Sequence, residues 1–316
     1  MHQIAFPHHT PATMSDDRGH RAKTSLTWFL HMHKVAGTSL CKLAAQQGEQ
    51  FWEKADHRAH IDLMFDSSTN INQANTTLVN ESSRLPFLQQ IVHDGTTFVS
   101  TEHWFPSHDS VLQLKQQLPS LHFITCLRHP VDRLVSSYFH HKGGGSRVST
   151  DTPSLKIQGE LFHSTILEYA ATCSNMYVRL LTENIFGPKY FKKEWSFDYQ
   201  LLSSRDVQNA IQTLEEFDVV AVFEELNHFK EIRSFMQWKD HDDVHGTPWE
   251  LRGSKTKSDI HKILTKQTGS NQWYQMLTEM NKWDMEVYQY ALERRKTNNN
   301  TSASYFTLSS TSEEET

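Results

Sequence analysis

The sequence lacks most of the features that mark specialised classes of protein. Its 316 residues include only three cysteines, and this small, odd number gives no complete disulfide framework. No stretch approaches the roughly 18–20 consecutive apolar residues of a membrane-spanning helix, and no secretory signal peptide is visible. Basic residues are not in excess: the formal net charge is −6, whereas nucleic-acid-binding proteins usually carry a basic surface. We therefore expect a soluble protein with no membrane span and no nucleic-acid partner.

Polar segments enclose a more apolar centre. Residues 1–24 are rich in histidine, proline and charge, and residues 296–316 run from an Asn/Thr stretch into a Glu-Glu-Glu-Thr end. Both compositions predict disordered arms. Between them, residues 25–295 alternate short apolar runs with helical patterns, which predicts one α/β domain with a central parallel sheet flanked by helices. The late part of this domain predicts helices at residues 207–217, 226–239 and 272–295.

The first informative segment follows an apolar, β-branched run at residues 27–30, which predicts a buried strand. The loop that leads from it into a helical pattern contains Lys34, Gly37, Thr38 and Ser39. Glycine lets the backbone approach a phosphate closely, the hydroxyls are donors in the first helical turn, and lysine adds a mobile charge. Because Lys34 precedes the only glycine, the loop is not a Walker A motif, whose Ser or Thr holds magnesium. The alternative is an ordinary strand-to-helix turn.

The second informative segment has the same organisation. Residues 121–127 predict a buried strand, Arg128 stands at its carboxyl end, and Pro130 suits the first turn of a helix. An apolar stripe gives this helix a core-facing side: Val131, Leu134, Val135 and Tyr138. The planar donors of Arg128 can grip a phosphate, and Ser136 can add a hydroxyl to the same anion. We interpret Arg133 as structural, paired with a carboxylate on a neighbouring helix.

Two anion sites at the starts of helices predict a ligand with two separated anionic groups. The pair of motifs, Lys34-x-x-Gly-Thr-Ser and Arg128-x-Pro-x-x-Arg-x-x-Ser, resembles the nucleotide-binding motifs of sulfotransferases that use 3′-phosphoadenosine-5′-phosphosulfate (PAPS). The likeness is to the carbohydrate sulfotransferases of the Golgi type, including the heparan sulfate 2-O-sulfotransferase group. One departure is His129, where many members carry aspartate.

The resemblance implies a three-layer, P-loop-like fold and a role for each motif. PAPS would be the sulfuryl donor, and no metal would be required. The first motif would contact the 5′-phosphosulfate through Lys34, Gly37, Thr38 and Ser39. The second would contact the 3′-phosphate through Arg128 and Ser136.

Two further segments resemble parts of the same family. Residues 217–226 read as a buried strand that a glutamate closes, although any buried strand would give a similar pattern. Residues 251–257 resemble the basic loop that covers the cofactor, and the resemblance assigns cofactor contacts there to Arg252, Ser254 and Lys255. The plain alternative for this loop is a solvated basic segment.

Glu102 and His103 directly follow the strand predicted at residues 96–101 and are the candidates for the catalytic base. Sulfuryl transfer needs a group that takes the proton of the acceptor hydroxyl. The resemblance favours His103, because many members carry a Gly-His pair at this point. A Thr-Glu pair replaces that glycine here, so Glu102 stays an alternative. Lys34 is the third catalytic candidate, because a cation can stabilise the charge that develops on the leaving phosphate.

The leading prediction is a PAPS-dependent sulfotransferase acting on a glycan or a small hydroxylated molecule. A P-loop phosphotransferase or NTPase and a non-catalytic binding module are the alternatives. The resemblance implies the Golgi lumen, although the chain lacks the usual N-terminal anchor, and a cytoplasmic location stays open. Possible glycosylation triplets begin at Asn75, Asn80, Asn299 and Asn300. The sequence does not identify the acceptor or the oligomeric state.

Overall fold

The computed structural model describes residues 25–52, 81–102, 105–142, 165–182, 202–225, 229–239 and 257–309. The strands are β1 (Leu26–Leu30), β2 (Phe98–Thr101), β3 (Leu121–Leu127) and β4 (Val219–Val222). The helices are α1 (Gly37–Gln46), α2 (Glu81–His93), α3 (His108–Gln117), α4 (Pro130–Lys142), α5 (Ile166–Cys173), α6 (Met176–Leu181), α7 (Ser204–Glu215), α8 (Lys230–Met236), α9 (Lys257–Thr268), α10 (Trp273–Met280) and α11 (Lys282–Ser309).

The four strands form one parallel sheet in the order β2-β1-β3-β4. In this register Leu30 lies opposite Thr101 on one side and Thr125 on the other. Helices flank the sheet, so the three-layer α/β fold predicted from the sequence is confirmed. The near-continuous apolar strands are typical of a parallel sheet covered on both faces.

The strand order contains a reversal that positions a ligand site. From β1 the chain moves to β2 on one side, and it then returns past β1 to β3 on the other side. In open α/β sheets ligands bind at such a reversal, outside the carboxyl ends of the strands. Both informative loops, at Lys34 and at Arg128, follow strands that border this point.

Aromatic side chains dominate the core beside the sheet. The Phe105 ring packs 4.8 Å from Phe217 and 5.3 Å from Phe123, and Trp28 packs 5.7 Å from Phe123. A second core lies under α4, whose predicted stripe of Val131, Leu134, Val135 and Tyr138 is buried against α5, α9 and α10. Cys41 and Cys126 are buried thiols, as the apolar character of their surroundings predicts.

The end of the chain differs from the predicted pattern. The helix expected at residues 272–295 is two helices, which meet at the fully buried Asn281. Its side chain donates to the Leu277 carbonyl at 2.8 Å and accepts from the Asn175 N–H at 3.2 Å, a bond from a distant segment that no local pattern reveals. Trp273 and Leu277 are buried, whereas Met276 is exposed.

Other predicted boundaries also shift. The helices expected at 207–217 and 226–239 are present as α7 and α8, with different ends. The last helix continues to Ser309, so residues 296–309 are helical where composition predicts a disordered arm. Adding residues to a nucleated helix is easier than starting one, even for poor helix formers. Residues 1–24 and 310–316 lie outside the described residues, and disorder there stays a prediction.

Candidate active site

The two predicted anion-binding loops meet at the carboxyl edge of the sheet. We call residues 31–39, between β1 and α1, the first junction, and Arg128–His129, between β3 and α4, the second junction. The Arg128 Nη1 donates a hydrogen bond to the Lys34 carbonyl at 3.4 Å. Two segments 94 residues apart in sequence are thus in direct contact, in the position where this strand order is expected to bind a ligand.

The first junction is built from unusual backbone conformations. Lys34 has φ 68° and Ala36 has φ 79°, in the left-handed region that residues other than glycine rarely adopt. In the part of the chain that the structure describes, no side chain caps the start of α1. The first N–H groups of a helix have no partner within it and carry partial positive charge, so they favour an anion. Thr38 and Ser39 lie half-buried in this first turn.

Gly37 is required by the packing of a histidine. A Cβ atom placed on Gly37 would lie 1.6 Å from the Cδ2 of His31. The His31 side chain is buried and stacks on Phe29, with ring centroids 5.6 Å apart. The sequence suggested that Gly37 allows backbone to approach a phosphate, and the structure adds a separate steric reason for glycine.

The second junction is held by a buried tyrosine. The Tyr177 hydroxyl donates to the Arg128 carbonyl at 2.7 Å and accepts from the Arg128 N–H at 3.1 Å. Burial raises the pKa of Tyr177, so the hydroxyl stays protonated and able to donate. Tyr177 is 49 residues from Arg128, and no local pattern indicates this contact.

The Arg128 guanidinium is oriented by an aromatic ring, and one of its donors is unpaired in the described structure. Its guanidinium carbon lies 4.6 Å from the centre of the Phe223 ring, which fixes the plane of the group. Its Nε atom is buried and has no hydrogen-bond partner among the described residues. A buried donor without a partner is costly, and an anion bound at this point would remove that cost.

Glu224 anchors the other half of the second junction. It follows β4, where the sequence predicts a glutamate at the end of the strand. Its Oε1 accepts from the His129 N–H at 2.8 Å, and its Oε2 accepts from the Tyr288 hydroxyl at 2.9 Å. Burial, together with the charge of Glu224, raises the pKa of Tyr288 and keeps it a donor. The His129 ring stacks on the ring of Tyr274 with centroids 5.9 Å apart.

Two further residues of the second motif, Ser136 and Arg133, lie in different surroundings. Ser136 lies half-buried on α4, and no hydrogen bond within the described segments joins it to Arg128. Arg133 is structural, as expected, but its direct partners are not a carboxylate. Its Nη2 donates to the Cys173 carbonyl at 3.1 Å and its Nη1 contacts the Met176 sulfur at 3.2 Å. A carboxylate on a neighbouring helix acts on it through charge: Arg133 opposes the rise that burial causes in the pKa of Asp284, on α11.

The charge on Lys34 is influenced by burial and by two charged neighbours. Burial, followed by the neighbouring Arg128 guanidinium, lowers the pKa of Lys34, and the Glu102 carboxylate partly offsets this effect. Two cations held together in a half-buried site favour an anionic ligand, which would stabilise both charges.

The structure also adds a residue that sequence reasoning missed. The Nδ1 of His33 lies 2.5 Å from the Oε1 of Glu102, so the carboxylate that follows β2 is hydrogen-bonded to the loop that follows β1. The ring of His140, on α4, lies 5.7 Å from the ring of His33. The only available signal was the position of His33 directly before Lys34, which is weak in a chain with 20 histidines.

Four predicted site residues lie outside the described residues: His103, Arg252, Ser254 and Lys255. In the part of the chain that is described, no group of three or more His, Cys, Asp or Glu side chains could hold a metal ion. None of the described helices is both long and apolar enough to cross a membrane.

Comparison with known proteins decides the family. A model of the sulfotransferase family matches residues 22–291, a span that includes both junctions and all four strands. The chain belongs to the sulfotransferase family. Searches among curated proteins and among solved structures returned no match.

Proposed function

We propose that this sulfotransferase transfers a sulfuryl group from PAPS to a hydroxyl of a glycan or of a small hydroxylated molecule. The observation that carries the proposal is the meeting of Lys34 and Arg128 at the reversal of strand order, where the buried Nε of Arg128 has no hydrogen-bond partner among the described residues. PAPS carries anionic groups at its 5′ and 3′ ends, which matches two adjoining cationic junctions of different construction.

Each junction is proposed to bind a different end of PAPS. The start of α1, with Lys34, Gly37, Thr38 and Ser39, would hold the 5′-phosphosulfate through main-chain N–H groups, hydroxyls and one mobile charge. Arg128 would hold the 3′-phosphate, with Ser136 as a second donor on the following helix. Arg252, Ser254 and Lys255 are proposed to cover the nucleotide, on the strength of the family resemblance alone.

Lys34 has a further role in the proposed reaction. Negative charge builds up on the 5′-phosphate as its bond to sulfur breaks, and a cation beside that oxygen stabilises the transition state more than the ground state. The acceptor hydroxyl must also lose its proton. His103 and Glu102, at the end of β2, are the proposed candidates for this step.

We propose an acceptor of the carbohydrate class because the two motifs resemble those of the carbohydrate sulfotransferases. The net charge of −6 favours a neutral glycan over a highly sulfated one, since polyanionic substrates favour basic clefts. A small hydroxylated acceptor is the second possibility within the same reaction.

Calorimetry with 3′,5′-adenosine bisphosphate and with ATP, each in the presence of EDTA, tests the donor. We expect the bisphosphate to bind tightly without a divalent metal and ATP to bind more weakly. Tighter binding of ATP, or binding that needs magnesium, would contradict the proposal and favour an NTPase.

Transfer is tested with labelled PAPS and a panel of acceptors: dextran as a neutral polysaccharide, desulfated chondroitin as one that carries only carboxylates, and p-nitrophenol. Label in either polysaccharide would support a carbohydrate acceptor, whereas label in the phenol alone would favour a small one. Bisphosphate binding without release of bisphosphate from PAPS in any mixture would instead support a binding module.

A further inference from the structure

The hydrogen bond between His33 and Glu102 joins the ends of two neighbouring strands at the proposed active site. His33 follows β1 and directly precedes Lys34, and Glu102 follows β2 and directly precedes His103. The two side chains are 2.5 Å apart, and 23% and 11% of their surfaces are exposed. The pair therefore joins the residue that precedes Lys34 in sequence to the residue that ends the described segment containing β2.

The chemistry of this hydrogen bond defines what each partner can do. An ionised carboxylate only accepts, so the Nδ1 of a neutral His33 must carry the proton. The Nε2 of His33 is buried, so it is poorly placed to receive a proton from an acceptor. His33 is thus better suited to orient a neighbour than to exchange protons with the substrate.

The hydrogen bond also changes the suitability of Glu102 as a base. A donor to the charged form of a carboxylate stabilises that form, which weakens its tendency to take a proton. The charge of Glu102 acts on Lys34 as well. Both contacts favour Glu102 as a fixed negative charge beside Lys34, and they leave the proton to His103.

We infer that His33 is a positioning residue of the active site, which holds the Glu102 carboxylate at the end of β2 against the first junction, next to the loop that carries Lys34. This inference rests on the proposed function. It adds one task to those proposed above: the carboxylate held by His33 sets the charge around Lys34, the residue that stabilises the leaving phosphate.

The reaction balances with these roles. The acceptor oxygen forms a bond to sulfur as the bond between sulfur and the 5′-phosphate oxygen breaks. The hydroxyl proton passes to His103, and 3′,5′-adenosine bisphosphate leaves with the electron pair of the broken bond. His33 keeps its proton on Nδ1 throughout.

A second histidine–carboxylate pair provides a control within the same molecule. His122 and Asp218 lie at the opposite, amino-terminal edge of the sheet, at 3.4 Å, with 29% and 25% of their side chains exposed. Their exposure resembles that of His33 and Glu102, but they are remote from both junctions. Substitutions there should affect stability at most.

The test compares His33→Asn and His33→Leu with His122→Asn and His122→Leu. The amide of asparagine can donate to Glu102 from near the position of Nδ1, but it does not titrate, and leucine cannot donate. We expect His33→Leu to reduce kcat about 10²-fold, the loss typical of a misplaced catalytic group. We expect His33→Asn to retain most of the activity and both His122 variants to match the wild type.

The assay measures release of bisphosphate from PAPS with the panel acceptor that the wild type uses best, and calorimetry measures bisphosphate binding by each variant. Binding should be nearly unchanged in both His33 variants. If His33→Asn is as inactive as His33→Leu, a histidine itself is needed and the positioning role is wrong. Full activity of His33→Leu would also overturn it.

Nuclear magnetic resonance gives a readout that does not depend on activity. Long-range ¹H–¹⁵N spectra distinguish the two tautomers of histidine, and comparison with His33→Asn assigns the signal of His33. We expect the neutral ring to carry its proton on Nδ1 in the wild type. A proton on Nε2 would overturn the inference even if the protein proved not to be PAPS-dependent, whereas loss of bisphosphate binding by the wild type would count against the proposed function alone.

Discussion

At the first junction the chain turns through two residues in the left-handed backbone conformation, Lys34 and Ala36. The helix that follows starts without a side-chain cap in the described structure. At the second junction, side chains from distant segments fix the loop: Tyr177 binds both backbone groups of Arg128, and Glu224 binds the N–H of His129. One proposed anion site is therefore made mainly of backbone, and the other is made of an arginine that its neighbours hold in place.

Because the two junctions are built differently, we expect anion binding at each of them to respond to different substitutions. A site made of main-chain N–H groups depends on backbone conformation. A substitution that crowds the loop should therefore weaken anion binding more than the removal of a hydroxyl group does. A site made of one side chain depends on that side chain and on the hydrogen bonds that orient it. The following substitutions test the contrast, from the largest expected effect to the smallest.

Lys34→Ala should have the largest effect, and it should appear in turnover. Removing a donor that stabilises charge in the transition state typically lowers kcat by about 10²–10³-fold. Bisphosphate affinity should fall much less, because the main-chain groups of the first junction are retained. Lys42→Ala is the matched control, since Lys42 is exposed on α1, the helix that follows this loop. Equal losses in kcat and in bisphosphate affinity would make Lys34 a ground-state binder only.

Arg128→Ala should instead act on binding. We expect bisphosphate affinity, measured by calorimetry, to fall by about 2–3 kcal/mol, as for the loss of a charged hydrogen-bond partner. Arg128→Lys should recover little, because lysine lacks the planar donors that stack on Phe223. The exposed Arg205 is a control for net charge. An unchanged affinity in Arg128→Ala would remove Arg128 from the site.

The same contrast explains how much the sequence predicted. The positions of the strands and the helix after Pro130 follow from local patterns, and the 121–127 strand agrees with β3 at both ends. The strand expected at residues 217–226 is shorter, because a turn of 3₁₀ helix follows Val222. Arg128 and Lys34 were placed at strand ends, and in a parallel sheet those ends share one edge. Local pattern was therefore enough to bring the two junctions together.

Contacts between distant segments were beyond that reasoning. Tyr177 reads as an ordinary core aromatic, and nothing in its neighbourhood indicates a hydrogen bond to Arg128. The same holds for the break at Asn281, which depends on Asn175, 106 residues away. The partnership of His33 with Glu102 was also missed, because it depends on the pairing of β1 with β2 rather than on spacing.

Gly37→Ala should destabilise the fold through the first junction. The added methyl group would overlap the His31 ring, and overpacking of this kind costs about 1–3 kcal/mol in the free energy of unfolding. Urea denaturation measures the change. If the clash is the cause, Gly37→Ala should cost less in a His31→Ala background, giving a clear coupling energy.

Gly95→Ala is the control for this double-mutant cycle. Gly95 has φ 88° and no atom near its vacant Cβ position, so alanine there should strain the backbone without a clash. His31→Ala should leave that cost unchanged. Additive effects of Gly37→Ala and His31→Ala would show that the two residues do not interact, and the steric reason for Gly37 would be wrong.

Tyr177→Phe should give the smallest effect, and it should appear at the second junction. Phenylalanine keeps the buried ring and removes the hydroxyl that bonds to the Arg128 carbonyl and N–H. A lost neutral hydrogen bond is worth about 1 kcal/mol, and we expect bisphosphate affinity to fall by about that amount because Arg128 is less well held. Tyr290→Phe is the control, since the Tyr290 hydroxyl bonds to the exposed Glu215. Because Tyr177 acts only through Arg128, Tyr177→Phe should add nothing to Arg128→Ala. A further loss of affinity in that double variant would mean that Tyr177 supports the site by another route.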